Sequence, residues 1–85
     1  MKHHASPDFW ACFSALPQHI QELARKNFEL LKQDPTHLSL HFKKIGDFVS
    51  VRVGISYRSL GVNVSDGILW FWIGSHADYD RVIGS

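Results

Sequence analysis

Apolar residues recur at three- and four-residue intervals up to about position 33 and at two-residue intervals afterwards. Ser6, Pro7 and Asp8 have the N-cap, first-turn proline and acidic residue that are typical of a helix start. Pro17 disfavours helix at the residue before it, so a short first helix is expected to end near Leu16. A longer second helix follows, with an apolar stripe formed by Ile20, Leu23, Ala24, Phe28 and Leu31.

The alternating pattern after Pro35 predicts four strands, at residues 38–42, 48–53, 56–62 and 68–73. The fourth is apolar on both faces and is expected to lie centrally. Helices followed by closely linked strands predict an α+β domain in which an N-terminal helical hairpin packs on a four-stranded, mostly antiparallel sheet. The side chains expected to be largely buried are Ile20, Leu23, Phe28, Leu31, Val51, Trp70 and Trp72.

A chain of 85 residues with 45% apolar side chains predicts a single globular domain over residues 1–85. Folding at this size buries only about 60% of the unfolded surface, so a binding partner is expected to add stability. The single cysteine, Cys12, fits a reducing, cytoplasmic setting, and no apolar run is long enough for a membrane span. A net charge of +1 does not indicate a nucleic-acid binder, so a prediction of nucleic-acid binding has to rest on local clusters of basic residues.

The hairpin between the second and third predicted strands holds the most informative pair of charges. If residues 54–56 form a three-residue loop, Arg52 lies directly opposite Arg58 on one sheet face, where the two guanidinium groups could hold a phosphate. A two-residue loop would place them on opposite faces, and of the two we favour the three-residue loop. Both could equally be ordinary solvent-facing strand residues.

Two further groups lie close to this pair in the predicted fold. With Lys43 and Lys44, residues 43–58 contain four basic residues and one acidic residue, Asp47. A lysine pair at a strand end more often marks only a solvated sheet edge. His76 and Tyr79 follow the last strand, where they could serve acid–base chemistry or simply cap and pack. The ring of His37 would lie roughly 13 Å from that of His41 along a strand, so no metal site is expected.

The order of these pieces resembles the RelE/ParE toxin superfamily of bacterial toxin–antitoxin systems, over residues 9–83. The resemblance is carried by LP at 16–17, LKQDP at 31–35, FKKI at 42–45, VRVG at 51–54, YR at 57–58 and WIGSHADY at 72–79. It implies two helices followed by an antiparallel sheet, in agreement with the pattern above. Departures from the family are Ser50 at a position that is basic in some members, and His76 where Gly-Lys-Arg is common.

The resemblance also implies a function, which is that of a metal-independent, ribosome-associated endoribonuclease that cuts messenger RNA and needs no cofactor. Arg52 and Arg58 would stabilise the phosphate charge, His76 would transfer a proton, and Tyr79 would position or protonate. The lysines at 43 and 44 are secondary candidates for RNA binding. The implied partners are a cognate antitoxin, the ribosome and messenger RNA; the alternatives are a ParE-like inhibitor of DNA gyrase or an inactive module that only binds an antitoxin.

Overall fold

The computed structural model describes residues 2–84, which form three α-helices, one 3-10 turn and one five-stranded sheet. In chain order the elements are β1 (Lys2–Ala5), α1 (Pro7–Ser14), α2 (Gln18–Gln33), the 3-10 turn (Leu38–Leu40), β2 (Lys43–Ile45), β3 (Phe48–Val53), β4 (Tyr57–Val64), β5 (Gly67–Ser75) and α3 (His76–Ile83). The α+β class predicted from the sequence is confirmed.

The two N-terminal helices start and end where the sequence predicts. The Ser6 hydroxyl accepts a hydrogen bond from the Phe9 amide at 3.2 Å, so Ser6 is the N-cap of α1. Pro17 separates α1 from α2 and is itself the N-cap residue of α2. The helices share one apolar cluster on the sheet, made of Phe13, Ile20, Ala24, Val53 and Ile73.

The sheet has the strand order β1-β5-β4-β3-β2. All neighbouring strands are antiparallel except β1 and β5, which are parallel, so the mostly antiparallel prediction is confirmed and the count of four strands is one too few. β5 is an inner strand, but β4 rather than β5 is central. The missing strand is Lys2–Ala5, whose four residues have no clear alternation to reveal it.

β1 can join the sheet because its neighbour begins with glycine. A Cβ at Gly67 would lie 1.8 Å from the Lys2 carbonyl oxygen, a distance that no side chain could tolerate. The Lys2 amide donates to the Asp66 carbonyl at 2.9 Å, and the Ser6 amide donates to the Trp70 carbonyl at 3.0 Å. These two bonds fix both ends of β1 against β5.

The predicted strand over residues 38–42 is wrong, because a 3-10 turn occupies most of it. The Leu40 amide donates to the His37 carbonyl at 3.1 Å, and the His37 side chain accepts from the Ser39 amide at 3.2 Å. Leu40 is fully buried whereas Leu38 is 87% exposed, so a pattern that looked like strand alternation reflects a single turn. The first strand of the hairpin starts later, at Lys43.

Burial follows the prediction at most of the named positions. Ile20, Leu31, Val51 and Trp70 are buried, and Leu23 and Trp72 are half-buried. Phe28 is 37% exposed, so its predicted burial is wrong. Its ring lies at the surface of α2, where the Lys32 ammonium is 5.0 Å from the ring centroid.

α3 was not predicted from the sequence, in which His76 and Tyr79 simply followed the last strand. Its local signal is Ser75, whose hydroxyl accepts from the Asp78 amide at 3.1 Å, so Ser75 is the N-cap of the helix. α3 packs on β4 and β5 on the sheet face that α1 and α2 do not cover. Among residues 2–84, no helix is both long enough and apolar enough to span a membrane.

Candidate functional site

The candidate site is the sheet face that bears Arg52 and Arg58. The register of β3 and β4 pairs the two residues directly, and the loop between the strands has three residues, as the sequence argument favoured. Gly54 opens that loop with φ +63°, a conformation suited to glycine. Because paired residues of adjacent strands project to the same side, both arginines belong to one face.

Arg58 is unusual because its charged side chain is only 5% exposed. Its Nε donates to the Ser50 hydroxyl at 2.9 Å, and its Nη2 donates to the His41 carbonyl at 3.3 Å. The guanidinium carbon lies 5.1 Å from the ring centroid of Tyr79, within the range of a cation–π contact. Ser50, Tyr79 and the backbone of His41 therefore fix the position of the guanidinium.

Arg52 is half-buried and turns toward the bare edge of β3, beyond the end of its pairing with β2. Its Nε donates to the Gly54 carbonyl at 2.8 Å, and its Nη1 lies 3.1 Å from Nε2 of His41. The Asn27 side chain donates to the Arg52 carbonyl at 3.0 Å, which satisfies the backbone at this edge. The side chain of Arg52 is thereby held close to the His41 ring.

Neither arginine is neutralised by a carboxylate within residues 2–84. The ion pairs there involve His4, Lys32, His76 and Arg81, and none involves Arg52 or Arg58. A guanidinium stays charged at any physiological pH, and a buried charge without a counter-charge is costly. This face is therefore electropositive and suited to an anion.

His76 and Tyr79 lie on α3, at the end of the same face. The His76 amide donates to the Ser56 carbonyl at 2.7 Å, which ties the start of α3 to the β3–β4 loop. The exposed His76 ring has its Nδ1 3.5 Å from Oδ2 of Asp80, and its centroid is 5.6 Å from that of Tyr79. Tyr79 is 3% exposed, and its hydroxyl has no hydrogen-bond partner in the part of the chain that is described.

The two lysines project from opposite faces of the sheet. Lys43 pairs with Ser50 and so projects from the arginine face, whereas Lys44 pairs with Val49 and projects from the other face. Both side chains are exposed. The structure therefore brings Lys43, but not Lys44, to the side of the sheet that holds the predicted site.

Two depressions flank the sheet, and only the smaller is part of this site. It has a volume of about 310 Å³ and is lined by Leu23, Asn27, Ser39, His41, Arg52, Gly54 and Ile55. The larger groove, of about 470 Å³, lies between α1, α2 and the sheet, with Val51, Val53 and Trp70 among its lining. It is mainly apolar and is lined by neither Arg52 nor Arg58, whereas Arg52 lines the smaller depression.

Comparison with known proteins decides the family of the chain. A family profile described as the ParE-like toxin domain matches residues 18–81, from the start of α2 into α3. The chain belongs to the ParE-like toxin family. The resemblance to the RelE/ParE superfamily inferred from the sequence is confirmed, and no curated protein sequence gives a significant match.

Solved structures show the same fold as this ParE-like toxin domain. One is the RelB–RelE antitoxin–toxin complex of Methanococcus jannaschii, with 19% identity, a TM-score of 0.73, and coverage of 94% of this chain and 98% of that one. Another is a copper-bound mutant toxin of Helicobacter pylori, with 13% identity, a TM-score of 0.66, and coverage of 94% and 99%. At these identities the likeness concerns the fold.

Sequence reasoning missed two residues of the candidate site in this ParE-like toxin domain. His41 was considered only as a possible metal ligand, because it was placed in a strand that does not exist. Ser50 was noted only as a departure from a basic position, yet it is fully buried and receives the Nε–H of Arg58. The alternation of β3 already placed Ser50 and Arg52 on one face, and that signal could have identified Ser50.

Proposed function

We propose that this ParE-like toxin domain is the toxin of a type II toxin–antitoxin system and that it cleaves messenger RNA on the ribosome. The observation that carries the proposal is the pair formed by Arg52 and Arg58. Two guanidinium groups face each other on the sheet, one of them is buried, and neither has a carboxylate partner within residues 2–84. An RNA phosphate would supply the missing negative charge.

The chemistry that fits this site uses the RNA itself as nucleophile. The ribose 2′-oxygen attacks the adjacent phosphorus, the bond from phosphorus to the 5′-oxygen breaks, and no metal is needed. Arg52 and Arg58 would stabilise the charge of the five-coordinate phosphate. His76 is exposed and would transfer a proton, whereas the buried Tyr79 would position Arg58 through its ring.

Lys43 supports RNA binding in this proposal, because it projects from the arginine face. Lys44 would contribute only through long-range attraction, since it projects from the other face. Contacts of this kind with the RNA backbone weaken as salt is added. With a net charge of only +1, binding to the ribosome would depend on this face rather than on the overall charge of the domain.

The proposed partner of the free domain is a cognate antitoxin that masks the arginine face. The M. jannaschii relative of the same fold forms a RelB–RelE antitoxin–toxin complex. A domain of this size also has a modest core, so a partner that binds only the folded state would raise its stability. We place the domain, over residues 1–85, in the cytoplasm with the ribosome and messenger RNA.

The experiment is induced expression of the parent and of Arg58→Ala, with separate measurement of protein synthesis, messenger RNA ends and DNA supercoiling. The parent should stop translation and create new messenger RNA ends while supercoiling stays intact. Arg58→Ala should remove the toxicity, because one such contact to a transition-state oxyanion contributes about 3 kcal/mol.

Two other outcomes would overturn the proposal. Loss of supercoiling with intact messenger RNA would indicate an inhibitor of DNA gyrase. Normal growth with no change in any readout, together with tight antitoxin binding, would indicate an inactive regulatory module. Co-expression with the product of the neighbouring gene should raise solubility and Tm, and a lack of change in both would contradict the antitoxin partner.

A further inference from the structure

His41 connects the two arginines of the candidate site. Its ring Nε2 lies 3.1 Å from Nη1 of Arg52, and its carbonyl accepts from Nη2 of Arg58 at 3.3 Å. We propose that His41 is a second proton-transfer residue, namely the general base that removes the proton from the ribose 2′-hydroxyl. This proposal rests on the proposed nuclease function and assigns a step that His76 alone does not cover.

The backbone at His41 is the first argument. With φ 44° and ψ 48° it is the one non-glycine residue at positive φ within residues 2–84. Few non-glycine residues adopt this conformation, and histidine, asparagine and aspartate are over-represented among them. Such residues also cluster at functional sites. The conformation places the carbonyl on Arg58 and the ring on Arg52, so both contacts depend on this one turn.

The contact between the ring and Arg52 is the second argument. Nη1 of Arg52 lies 3.1 Å from Nε2 and 3.4 Å from Nδ1 of His41, so the guanidinium lies against the ring and is not directed along the lone pair of one nitrogen. The His41 residue is exposed and lines the 310 Å³ depression together with Arg52. A phosphate held by Arg52 would therefore bring its neighbouring ribose close to the exposed His41 ring.

The position of His76 is the third argument, because it leaves a separate role for each histidine. His76 adjoins the carboxylate of Asp80 and contacts the Tyr79 ring, which stacks on Arg58. His41 contacts Arg58 through its carbonyl, at a guanidinium nitrogen. The His41 ring thus contacts Arg52, whereas the His76 ring contacts the tyrosine that packs on Arg58, so each imidazole adjoins a different arginine of the pair. A base and an acid that act on one phosphate need such separate positions.

In the proposed step the RNA gives one proton to His41 and receives one proton from His76. Neutral His41 takes the proton of the 2′-hydroxyl as the bond from the 2′-oxygen to phosphorus forms. The bond from phosphorus to the 5′-oxygen breaks, and protonated His76 gives its proton to that oxygen. The products are a 2′,3′-cyclic phosphate and a 5′-hydroxyl end, and exchange with solvent restores both rings.

The test is cleavage of messenger RNA on programmed ribosomes by the parent, His41→Asn and His41→Gly. Asparagine and glycine both tolerate positive φ, so the turn is retained while the imidazole is lost. Cleavage should fall roughly 100-fold or more, as expected for a lost proton-transfer group. Added imidazole should restore cleavage by His41→Gly, and co-sedimentation with ribosomes should remain close to that of the parent.

The matched control is His19→Gln, at an exposed histidine of α2, which should cleave like the parent with or without imidazole. Cleavage by His41→Asn at the parent rate would overturn the proposal and leave the nuclease function intact. Loss of cleavage by both variants without rescue by imidazole would also overturn it, because His41 would then only position the arginines. A parent protein that cuts no RNA would overturn the proposed function as well.

Discussion

The two faces of the sheet differ in how deeply their side chains are buried and in the kind of side chain that is buried. The face under α1 and α2 is apolar, and its strand residues include Val49, Val51, Val53, Ile68, Trp70 and Ile73. On the arginine face, Ser50 and Arg58 are buried beside Leu60 and under Tyr79. The first face stabilises the fold by burying apolar area, whereas the second buries groups whose presence weakens it.

The two faces also differ in how many side chains maintain each of them. On the apolar face several side chains form each cluster, and none of them carries a charge. The arginine face has little redundancy, since Ser50, Tyr79 and one carbonyl hold Arg58 in place. A buried cation without a counter-charge is costly in a domain with a modest core, so the burial of Arg58 agrees with a role in binding an anion.

The largest expected effect is the loss of stability caused by a substitution on the apolar face. Trp70→Ala removes a side chain that is 4% exposed from the middle of one cluster, and the cavity should lower the free energy of unfolding by about 3–5 kcal/mol. Urea denaturation measures the change. Trp10→Ala, at a residue that is 51% exposed, is the control and should cost much less. Equal losses from the two variants would contradict the description of the apolar face.

The second prediction separates stability from activity on the other face. Arg58→Met keeps an unbranched side chain and removes the buried charge, but it also leaves the buried Ser50 hydroxyl without its donor. Because these two effects oppose each other, the domain should stay folded, with a change in the free energy of unfolding of at most about 1–2 kcal/mol. Messenger RNA cleavage should fall about 100- to 1,000-fold, because the developing oxyanion loses a donor. Urea denaturation and mapping of messenger RNA ends on the same preparations test both parts.

Arg81→Met is the control for that prediction, because Arg81 is exposed and pairs with Asp78 on α3. It should alter neither property by much, since surface ion pairs contribute little. The comparison fails if Arg58→Met unfolds the domain, because the guanidinium would then be a structural element. It also fails if Arg58→Met cleaves messenger RNA like the parent.

A smaller effect is expected from Tyr79→Phe, which removes a buried hydroxyl without a hydrogen-bond partner in the described chain and keeps the ring under Arg58. Loss of an unsatisfied polar group should raise the free energy of unfolding by about 1 kcal/mol. Cleavage should persist if Tyr79 only positions the arginine, and its loss would show that the hydroxyl takes part. Tyr57→Phe, at a half-buried tyrosine of β4, is the matched control.

Local chemistry explains what the sequence could predict. The cap at Ser6 and the break at Pro17 are short-range features, so the helices followed directly. The pairing of Arg52 with Arg58 depended on the length of the loop after Val53, and the three-residue loop that the sequence favoured is the one the structure has. β1 could not be predicted in the same way, because its place depends on a close approach to Gly67 that is distant in sequence. The role of position 41 was hidden for a different reason: a 3-10 turn and a strand can share one alternating pattern.

The smallest expected effect concerns pH, and it arises at the rim of the apolar face. His3 accepts a hydrogen bond from Trp70 Nε1 at 3.1 Å, and burial, together with the nearby Lys32, lowers the pKa of His3 below its usual value of 6.5. The unfolded chain therefore binds a proton first as the pH falls below about 6.5, so stability declines until the folded pKa is reached and then levels off.

His3→Gln keeps an acceptor but cannot titrate, so it should flatten this decline in urea denaturation between about pH 7.5 and about pH 5. His19→Gln should follow the parent, and parallel curves for His3→Gln and the parent would show that the pH response originates elsewhere, which would leave the apolar face without a titrating group of its own.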